Sequence, residues 1–259
     1  MIKDFFDGIT SYFKAFSFIA RNRLWYYVLM PGLISLILGG SIAYSAFVVS
    51  DEMSFYVAEL YPSDWRGFWL VEKLSYVLTW LILGVGSLMA YRVLLVALVS
   101  PFMSPLAARV QSEMTGKVVY DPPFFSFTNF RLILRGGYLS LRNLFKEIWY
   151  TGWLLLLSLI PFFGLAAIFF IFIIQAFYAG FSNLDYTLEK YFDVKGSKRF
   201  SEQYRWLAVG NGVMFLALLT VPVLGLFFAP ALSTVAATLE AVKRVDAPVR
   251  TQHELEEFI

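Results

Sequence analysis

The chain has 259 residues, of which 59% are hydrophobic and only 15% charged, with a mean hydropathy of +0.65. Because soluble domains carry about 25% charged residues, this composition excludes a soluble protein and indicates an integral membrane protein. The net charge of +2 indicates no nucleic-acid partner, and the absence of cysteine excludes a disulfide framework, a thiol nucleophile and a thiolate metal site.

Residues 1–23 predict an amphipathic helix that lies in the membrane interface. Apolar side chains recur at steps of three and four, and most polar side chains fall elsewhere on the helix. The start lacks the basic region and cleavage site of a signal peptide, so we expect the segment to remain in the mature protein. The apolar positions are Phe5, Phe6, Ile9, Tyr12, Phe13, Phe16 and Ile19.

Two long apolar segments follow, and each predicts a full transmembrane helix. Residues 24–50 carry no charge over 27 positions, more than the roughly 20 that a crossing needs. After a polar, acidic loop at residues 51–68, residues 69–99 predict the second crossing, which Arg92 interrupts near its far end. An intramembrane arginine marks either a substrate path or a side chain that extends to the headgroups, and both interpretations of Arg92 stay open.

Residues 100–150 predict cytoplasmic and interfacial helices. Ser100-Pro101 should end the crossing, and a short amphipathic helix should then place Arg109 and Glu113 one turn apart. That pair is either a gate at the cytoplasmic mouth or a solvated ion pair of little energetic value. A second helix over residues 130–150 carries basic side chains that attract either an anion or anionic lipid headgroups. These are Arg131, Arg135, Arg142 and Lys146.

Two charge-free runs predict helical hairpins. The runs cover residues 148–184 and 206–239, and their 37 and 34 residues are too many for one crossing and few for two. Each contains a proline followed three residues later by glycine, which is typical of a helix break and turn: Pro161 with Gly164, and Pro222 with Gly225. We predict re-entrant hairpins at residues 151–184 and 206–239. Two short full crossings per run are the alternative.

The distribution of lysine and arginine favours one side for all the basic segments. There are 4 such residues in 1–23, 6 in 101–150, 5 in 185–205 and 3 after 240, but only one in 51–68. Because basic loops stay in the cytoplasm, each charge-free run should begin and end there. The prediction is a single membrane domain over residues 1–242 with a charged tail at 243–259. Both termini are expected in the cytoplasm, in a bacterial inner membrane.

The sequence offers no set of catalytic or metal-binding side chains. His253 is the only histidine and no cysteine is present, which argues against a metal site and against a Ser-His-Asp triad. No phosphate-binding glycine loop occurs either. We therefore predict that the protein is not an enzyme and that it uses no cofactor.

Three motifs occur in order along the chain: residues 99–103 (VSPFM), 159–164 (LIPFFG) and 221–226 (VPVLGL). In order and spacing they resemble the CysZ-type sulfate permease family, which includes the etoposide-induced membrane proteins, over residues 5–242. The resemblance implies an all-α membrane protein with two long transmembrane helices, two hemi-penetrating hairpins and an N-terminal interfacial helix. It also implies sulfate uptake by a homo-oligomer in contact with membrane lipids.

The resemblance also suggests candidate site residues, although their identities differ from the family pattern. The family's sulfate motif, G-[LI]-R-R, falls on Arg23, Leu24, Trp25 and Tyr26 when matched at the following proline. In the helix after Pro101, the family's acidic positions fall on Ala108 and Gln111, and its arginine falls on Glu113. The candidate anion-binding residues are Arg23, Leu24, Trp25 and Arg109. The candidate gating or pore residues are Glu113, Arg92, Pro161, Gly164, Pro222 and Gly225.

Two functions follow from these observations. The first is a permease or channel that passes a small inorganic anion, with sulfate as the default substrate. Backbone amides at the helix starts after the two turns, together with a few cationic side chains, would supply its selectivity. The alternative is a membrane scaffold or regulatory protein of the same fold that transports nothing. The altered sulfate motif and the aromatic content support this alternative.

Overall fold

The computed structural model describes residues 1–59, 68–119, 127–158, 164–221 and 223–245. Across these residues the chain is all-helical, as predicted. The helices are α1 (Ile2–Arg21), α2 (Tyr26–Glu59), α3 (Phe68–Thr115), α4 (Phe127–Ser158), α5 (Gly164–Leu188), α6 (Val194–Gln203), α7 (Arg205–Leu219) and α8 (Leu224–Ala241).

The chain forms two compact units. One comprises Met1–Ile34 with Val96–Ile259, and the other comprises Ser35–Leu95. The second unit consists of the later part of α2 and the earlier part of α3. Large apolar side chains on its part of α2, such as Tyr44 and Phe47, are exposed, which is the expected state of a surface that faces lipid.

Helix α2 contains the segment that best fits a membrane crossing. Among the described residues, Tyr26–Ser50 is the one helical stretch long and apolar enough to cross, and little of it is buried within the protein. The helix continues to Glu59, whereas the sequence predicted a loop from residue 51. The added residues include neither glycine nor proline, so nothing in the local sequence ends the helix.

Helix α3 runs without interruption through the prolines that were expected to end it. The sequence predicted a crossing to residue 99 and a separate short helix after Pro101, but one helix spans 48 residues with Pro101 and Pro105 inside it. A proline removes one backbone hydrogen bond and kinks a helix without always ending it. Neighbouring helices and hydroxyl side chains in a membrane protein compensate for the lost bond.

Helices α7 and α8 form a tight hairpin whose arms are short. The 15 residues of α7 and the 18 of α8 correspond to about 22 and 27 Å, less than the roughly 30 Å of a bilayer core. In the turn, the Val221 amide donates to the Leu218 carbonyl (3.0 Å) and the Gly225 amide to the Val221 carbonyl (2.8 Å). Val223 has a φ of 63°, a strained value for a β-branched residue.

Small residues let α5 and α7 approach closely. A Cβ atom added at Gly180 would lie 1.8 Å from the Ala208 carbonyl oxygen, and one added at Gly212 would lie 1.7 Å from the Ala176 carbonyl oxygen. Each helix therefore presents an alanine and a glycine four residues apart to the other. This small-residue pattern is the usual basis of close helix pairs in membranes, where van der Waals packing drives association.

Helix α1 packs on α7 and α8 through its small and polar face. Ser11, Tyr12 and Ile19 are buried, and the Tyr12 hydroxyl donates to the Asn211 carbonyl (2.8 Å). The aromatic side chains of Phe6 and Phe13 are exposed instead. The predicted amphipathic helix is thus present. One of its aromatic side chains, Tyr12, is buried against the protein, and Phe6 and Phe13 are exposed.

Ion pairs tie the end of α8 to α1. Arg244 contacts Asp7 (Nη2 to Oδ2, 2.6 Å) and Glu240 (Nη1 to Oε2, 2.5 Å), while Lys243 donates to the other Glu240 oxygen (2.6 Å). Lys243 and Arg244, the first residues of the predicted charged tail, therefore belong to the fold.

This cluster should make the contact between α1 and α8 sensitive to acid. Burial alone would raise the pKa of the Glu240 carboxyl, but hydrogen bonds and charge from Lys243 and Arg244 hold the pKa below its usual 4.5. The stabilisation is therefore present above pH 4.5 and is lost as the pH falls through the lower folded-state pKa. We expect Glu240→Gln to weaken the decline of Tm in detergent between pH 5 and 3.5. A decline matching that of the wild type would contradict this, and Glu202→Gln, which alters an exposed carboxylate, is the control.

Candidate functional site: a buried charge cluster

A turn after α5 places charged side chains in the protein interior. Helix α5 ends at Leu188, and the Lys190 and Tyr191 amides donate to the Thr187 and Leu188 carbonyls (3.2 and 2.9 Å). Glu189 and Lys190 lie in this turn and are buried. The chain then enters α6, whose first turn is capped by Asp193 through a 2.7 Å hydrogen bond from the Gly196 amide.

Lys190 is fully buried, with a relative exposure of 0%. Its Nζ donates to Ser104 Oγ of α3 (2.9 Å) and lies 3.7 Å from Glu189 Oε1. The Ser104 hydroxyl in turn donates to Glu189 Oε1. A buried ammonium is costly without partners, and Ser104 and Glu189 supply those partners.

Arg135 of α4 completes the group. Its guanidinium, 8% exposed, contacts Glu189 Oε2 through Nη1 (3.2 Å) and Asp185 Oδ1 through Nη2 (3.4 Å). Nη2 also donates to Ser197 Oγ of α6 (3.0 Å). The planar guanidinium thereby joins α4 to α5 and α6. We call these residues the charge cluster: Ser104, Arg135, Asp185, Glu189, Lys190 and Ser197.

The charge cluster holds two cations and two carboxylates, so it is neutral when all four are ionised. Burial raises the pKa of the Glu189 carboxyl, and the charges of Lys190 and Arg135 oppose this rise. Protonation of Glu189 would leave Arg135 and Lys190 with Asp185 as the only carboxylate, and hence one net positive charge. The net charge of the cluster therefore depends on the protonation of Glu189.

Gln111 lies close to the charge cluster on the same helix as Ser104. Its Nε2 donates to the hydroxyl of Tyr191, the residue after Lys190 (2.6 Å). Its Oε1 is buried and has no hydrogen-bond partner in the described part of the chain. An acceptor left unpaired in the interior is energetically costly, and none of the described residues supplies a donor to this oxygen.

The predicted anion-binding residues near the N-terminus lie in the connection between α1 and α2. Arg23 is exposed and adopts a φ of 56°, and within the described residues no carboxylate lies within ion-pair distance of it. Leu24 is buried, and its amide donates to the Ile19 carbonyl (3.1 Å). Trp25 packs edge-on against Phe16 with ring centroids 6.1 Å apart. Of the three, Arg23 is thus the exposed residue, and its guanidinium forms no ion pair within the described residues.

Arg109 and Glu113 form an ion pair on the surface of α3. Their side chains approach to 3.0 Å and are 58% and 36% exposed. An exposed pair of this kind contributes little to stability. Neither Arg109 nor Glu113 forms a described contact with the charge cluster, to which the same helix contributes Ser104.

Of the other predicted gating residues, the structure describes three, namely Arg92, Gly164 and Gly225. Arg92 lies within α3, and Gly164 is the first residue of α5. Gly225 lies in the first turn of α8, where an added Cβ would be 2.0 Å from the Leu218 carbonyl oxygen, so a glycine is needed at this close approach. Pro161 and Pro222 lie outside the described residues.

Sequence reasoning did not identify the charge cluster. The predictions treated Arg135 as a cation free to attract an anion or a lipid, but it is paired with Asp185 and Glu189. One signal was available, since Asp185 and Glu189 are one helical turn apart where a charge-free run ends. Their cationic partner lies 50 residues earlier in the chain, and no local pattern links the two.

Comparison with known protein families identifies the family of this chain. A family model described as Sulfate transporter CysZ/Etoposide-induced protein 2.4 matches residues 11–230. No curated protein is significantly similar to the chain. The matched range contains the segment Tyr26–Ser50, the charge cluster and the hairpin of α7 with the first part of α8. The chain therefore belongs to the CysZ/etoposide-induced protein 2.4 family, a family of transporter-type membrane proteins.

Proposed function

We propose that this protein is a membrane permease or channel for a small inorganic anion, with sulfate as the default substrate. The observation that carries the proposal is the family match over residues 11–230. The buried charge cluster supports it, because buried clusters of ionisable groups are costly and concentrate at functional sites. Protonation of Glu189 would leave Arg135 and Lys190 in excess over Asp185, and an anion path requires such positive charge.

The two apolar hairpins, α4–α5 and α7–α8, enter the membrane and return to the same side in this proposal. The short arms of α7 and α8 and the distribution of basic residues support this topology. Both termini and the charge cluster then face the cytoplasm of a bacterial inner membrane. The functional form is a homo-oligomer whose exposed apolar surface contacts lipid.

The flux of radiolabelled ions into liposomes that contain the purified protein tests the proposal. We expect uptake of sulfate above that of protein-free liposomes, and competition by excess unlabelled sulfate. Chloride measured in parallel establishes whether the path selects between the two anions. Protein that is monodisperse and folded but carries neither ion would contradict transport.

Arg23 is proposed as the cation that replaces the family's sulfate-binding arginines. Because it is exposed and unpaired within the described residues, its loss should not affect folding. We expect Arg23→Ala to abolish sulfate flux and to leave Tm unchanged. Arg21→Ala, which removes an exposed cation from the last turn of α1, is the matched control and should retain flux. Normal flux in Arg23→Ala would exclude the role.

A membrane scaffold is the second candidate function. The observation that favours it is the change of the sulfate motif, in which aromatic residues occupy the positions of both arginines. A sealed oligomer that reconstitutes correctly and passes neither sulfate nor chloride would support the scaffold over the permease.

A further inference from the structure

A cavity that is separate from the charge cluster opens between α4, α5, α6 and α7. Its volume is about 790 Å³, within the range of known small-molecule sites. Ile173, Ile174, Phe177 and Val209 supply an apolar wall. Tyr150 of α4 marks one edge of the cavity. The wall can receive a hydrocarbon chain but offers an inorganic ion no hydrogen bond.

One end of the cavity is polar and rich in cations. Arg205 and Glu202 line it directly, and Glu202 interacts with Lys146 and forms an ion pair with Lys198 (3.4 Å). Burial, and then the charges of Arg142 and Lys198, lower the pKa of the Lys146 ammonium.

Within the described residues, one nitrogen donor of the cavity lining and a second one near it lack partners. Trp206 lines the cavity, and its Nε1 is buried without a hydrogen-bond partner in the described ranges. The Nε of Arg142 is in the same state, and Arg142 interacts with Tyr178, which also lines the cavity. Buried donors are usually paired, so these two nitrogens indicate an acceptor that the described residues do not provide.

Exposed aromatic residues beside the cavity are of the kind found at the membrane interface. Trp149 and Trp153, which flank Tyr150 on α4, are exposed and pack edge-on with ring centroids 5.9 Å apart. Exposed tryptophans of this kind concentrate at headgroup depth. The apolar wall would then lie on the acyl-chain side and the cations on the headgroup side.

We propose that this cavity is a binding site for one anionic phospholipid. The phosphate accepts hydrogen bonds from the Trp206 and Arg142 nitrogens beside Arg205 and Lys146, and an acyl chain lies along Ile173, Phe177 and Val209. The combination of an apolar wall with cations and unpaired donors fits an amphipathic anion better than a free one. The site does not depend on anion transport.

Native mass spectrometry of the full-length protein in a mild detergent tests the site. The probes are phosphatidylglycerol, phosphatidylcholine and inorganic phosphate. We expect one phosphatidylglycerol to be retained at concentrations where phosphatidylcholine is not. Arg205→Gln and Arg142→Gln should each weaken phosphatidylglycerol binding about fivefold. Arg199→Gln, which alters an exposed arginine of α6 outside the cavity, should leave binding unchanged.

Three outcomes would overturn the proposal. Equal retention of the two lipids would show that the cations are not used. Displacement of phosphatidylglycerol by millimolar inorganic phosphate would assign the site to a free anion. Unchanged phosphatidylglycerol binding by folded Arg205→Gln and Arg142→Gln would place the lipid elsewhere. Because flux is not measured, none of these results depends on whether the protein transports an anion.

Discussion

Replacement of Lys190 by methionine is expected to destabilise the folded protein by about 3–5 kcal/mol, the usual effect of removing one member of a buried ion pair. Lys190 is fully buried and contacts both Ser104 and Glu189. Without its ammonium, the buried Glu189 carboxylate keeps Arg135 as its one cationic partner among the described residues, and Arg135 is shared with Asp185. Reversible unfolding in mixed detergent micelles measures the change in the free energy of unfolding.

Two further variants separate charge from packing. Lys198→Met removes an exposed lysine, 44% exposed, from its pair with Glu202 and should change stability by less than about 1 kcal/mol. The double variant Glu189→Leu/Lys190→Met removes one charge of each sign and leaves Arg135 paired with Asp185. It should be less destabilised than Lys190→Met alone, since no uncompensated carboxylate remains. Equal stability of Lys190→Met and the wild type would show that the charge cluster is not formed.

The second large effect is expected at the crossing of α5 and α7. An added Cβ at Gly212 would lie 1.7 Å from the Ala176 carbonyl oxygen, which belongs to backbone and cannot rotate away. Gly212→Leu must therefore separate the two helices, and we expect a loss of about 3 kcal/mol or more. Size-exclusion profiles and Tm in detergent measure the loss.

A matched glycine substitution serves as the control for Gly212→Leu. Gly152 lies on α4, where an added Cβ would meet nothing within 4 Å. Gly152→Ala should stabilise the protein slightly, by up to about 1 kcal/mol, since alanine favours a helix more than glycine does. A folded Gly212→Leu with the Tm of the wild type would contradict the close crossing.

The apolar periodicity of residues 1–23 and the length of the charge-free runs predicted the all-helical class, whereas α6 lies in a segment for which only a polar connection was predicted. These patterns did not predict how far α2 and α3 extend. A polar stretch such as residues 51–59 can remain helical when no glycine or proline intervenes, and the prolines of α3 did not end that helix. Helix ends depend on contacts made elsewhere in the fold, which a local pattern does not contain.

The candidate site was less accessible from the sequence than the fold. Charged residues in the polar segments could be recognised, but their partners could not, because Arg135 and Glu189 meet only after α4 and α5 pack together. The close approach at the glycines of the α5–α7 crossing could not be predicted either, since the sequence does not show which glycine of an apolar run contacts another helix. The turn at Gly225 was identified from its local sequence, because the proline and glycine lie within a few residues of each other.

Cysteine accessibility at Val223 tests the re-entrant topology of α7 and α8. The topology depends on whether the turn between these helices can be reached from outside the cell. The chain has no native cysteine, and Val223 is 59% exposed in the turn. In intact cells, a membrane-impermeant maleimide should leave Val223→Cys unlabelled from outside. Val118→Cys, at a residue exposed after α3, should react only once the membrane is opened. Labelling of Val223→Cys from outside would contradict the re-entrant hairpin and show that α7 and α8 each cross the membrane.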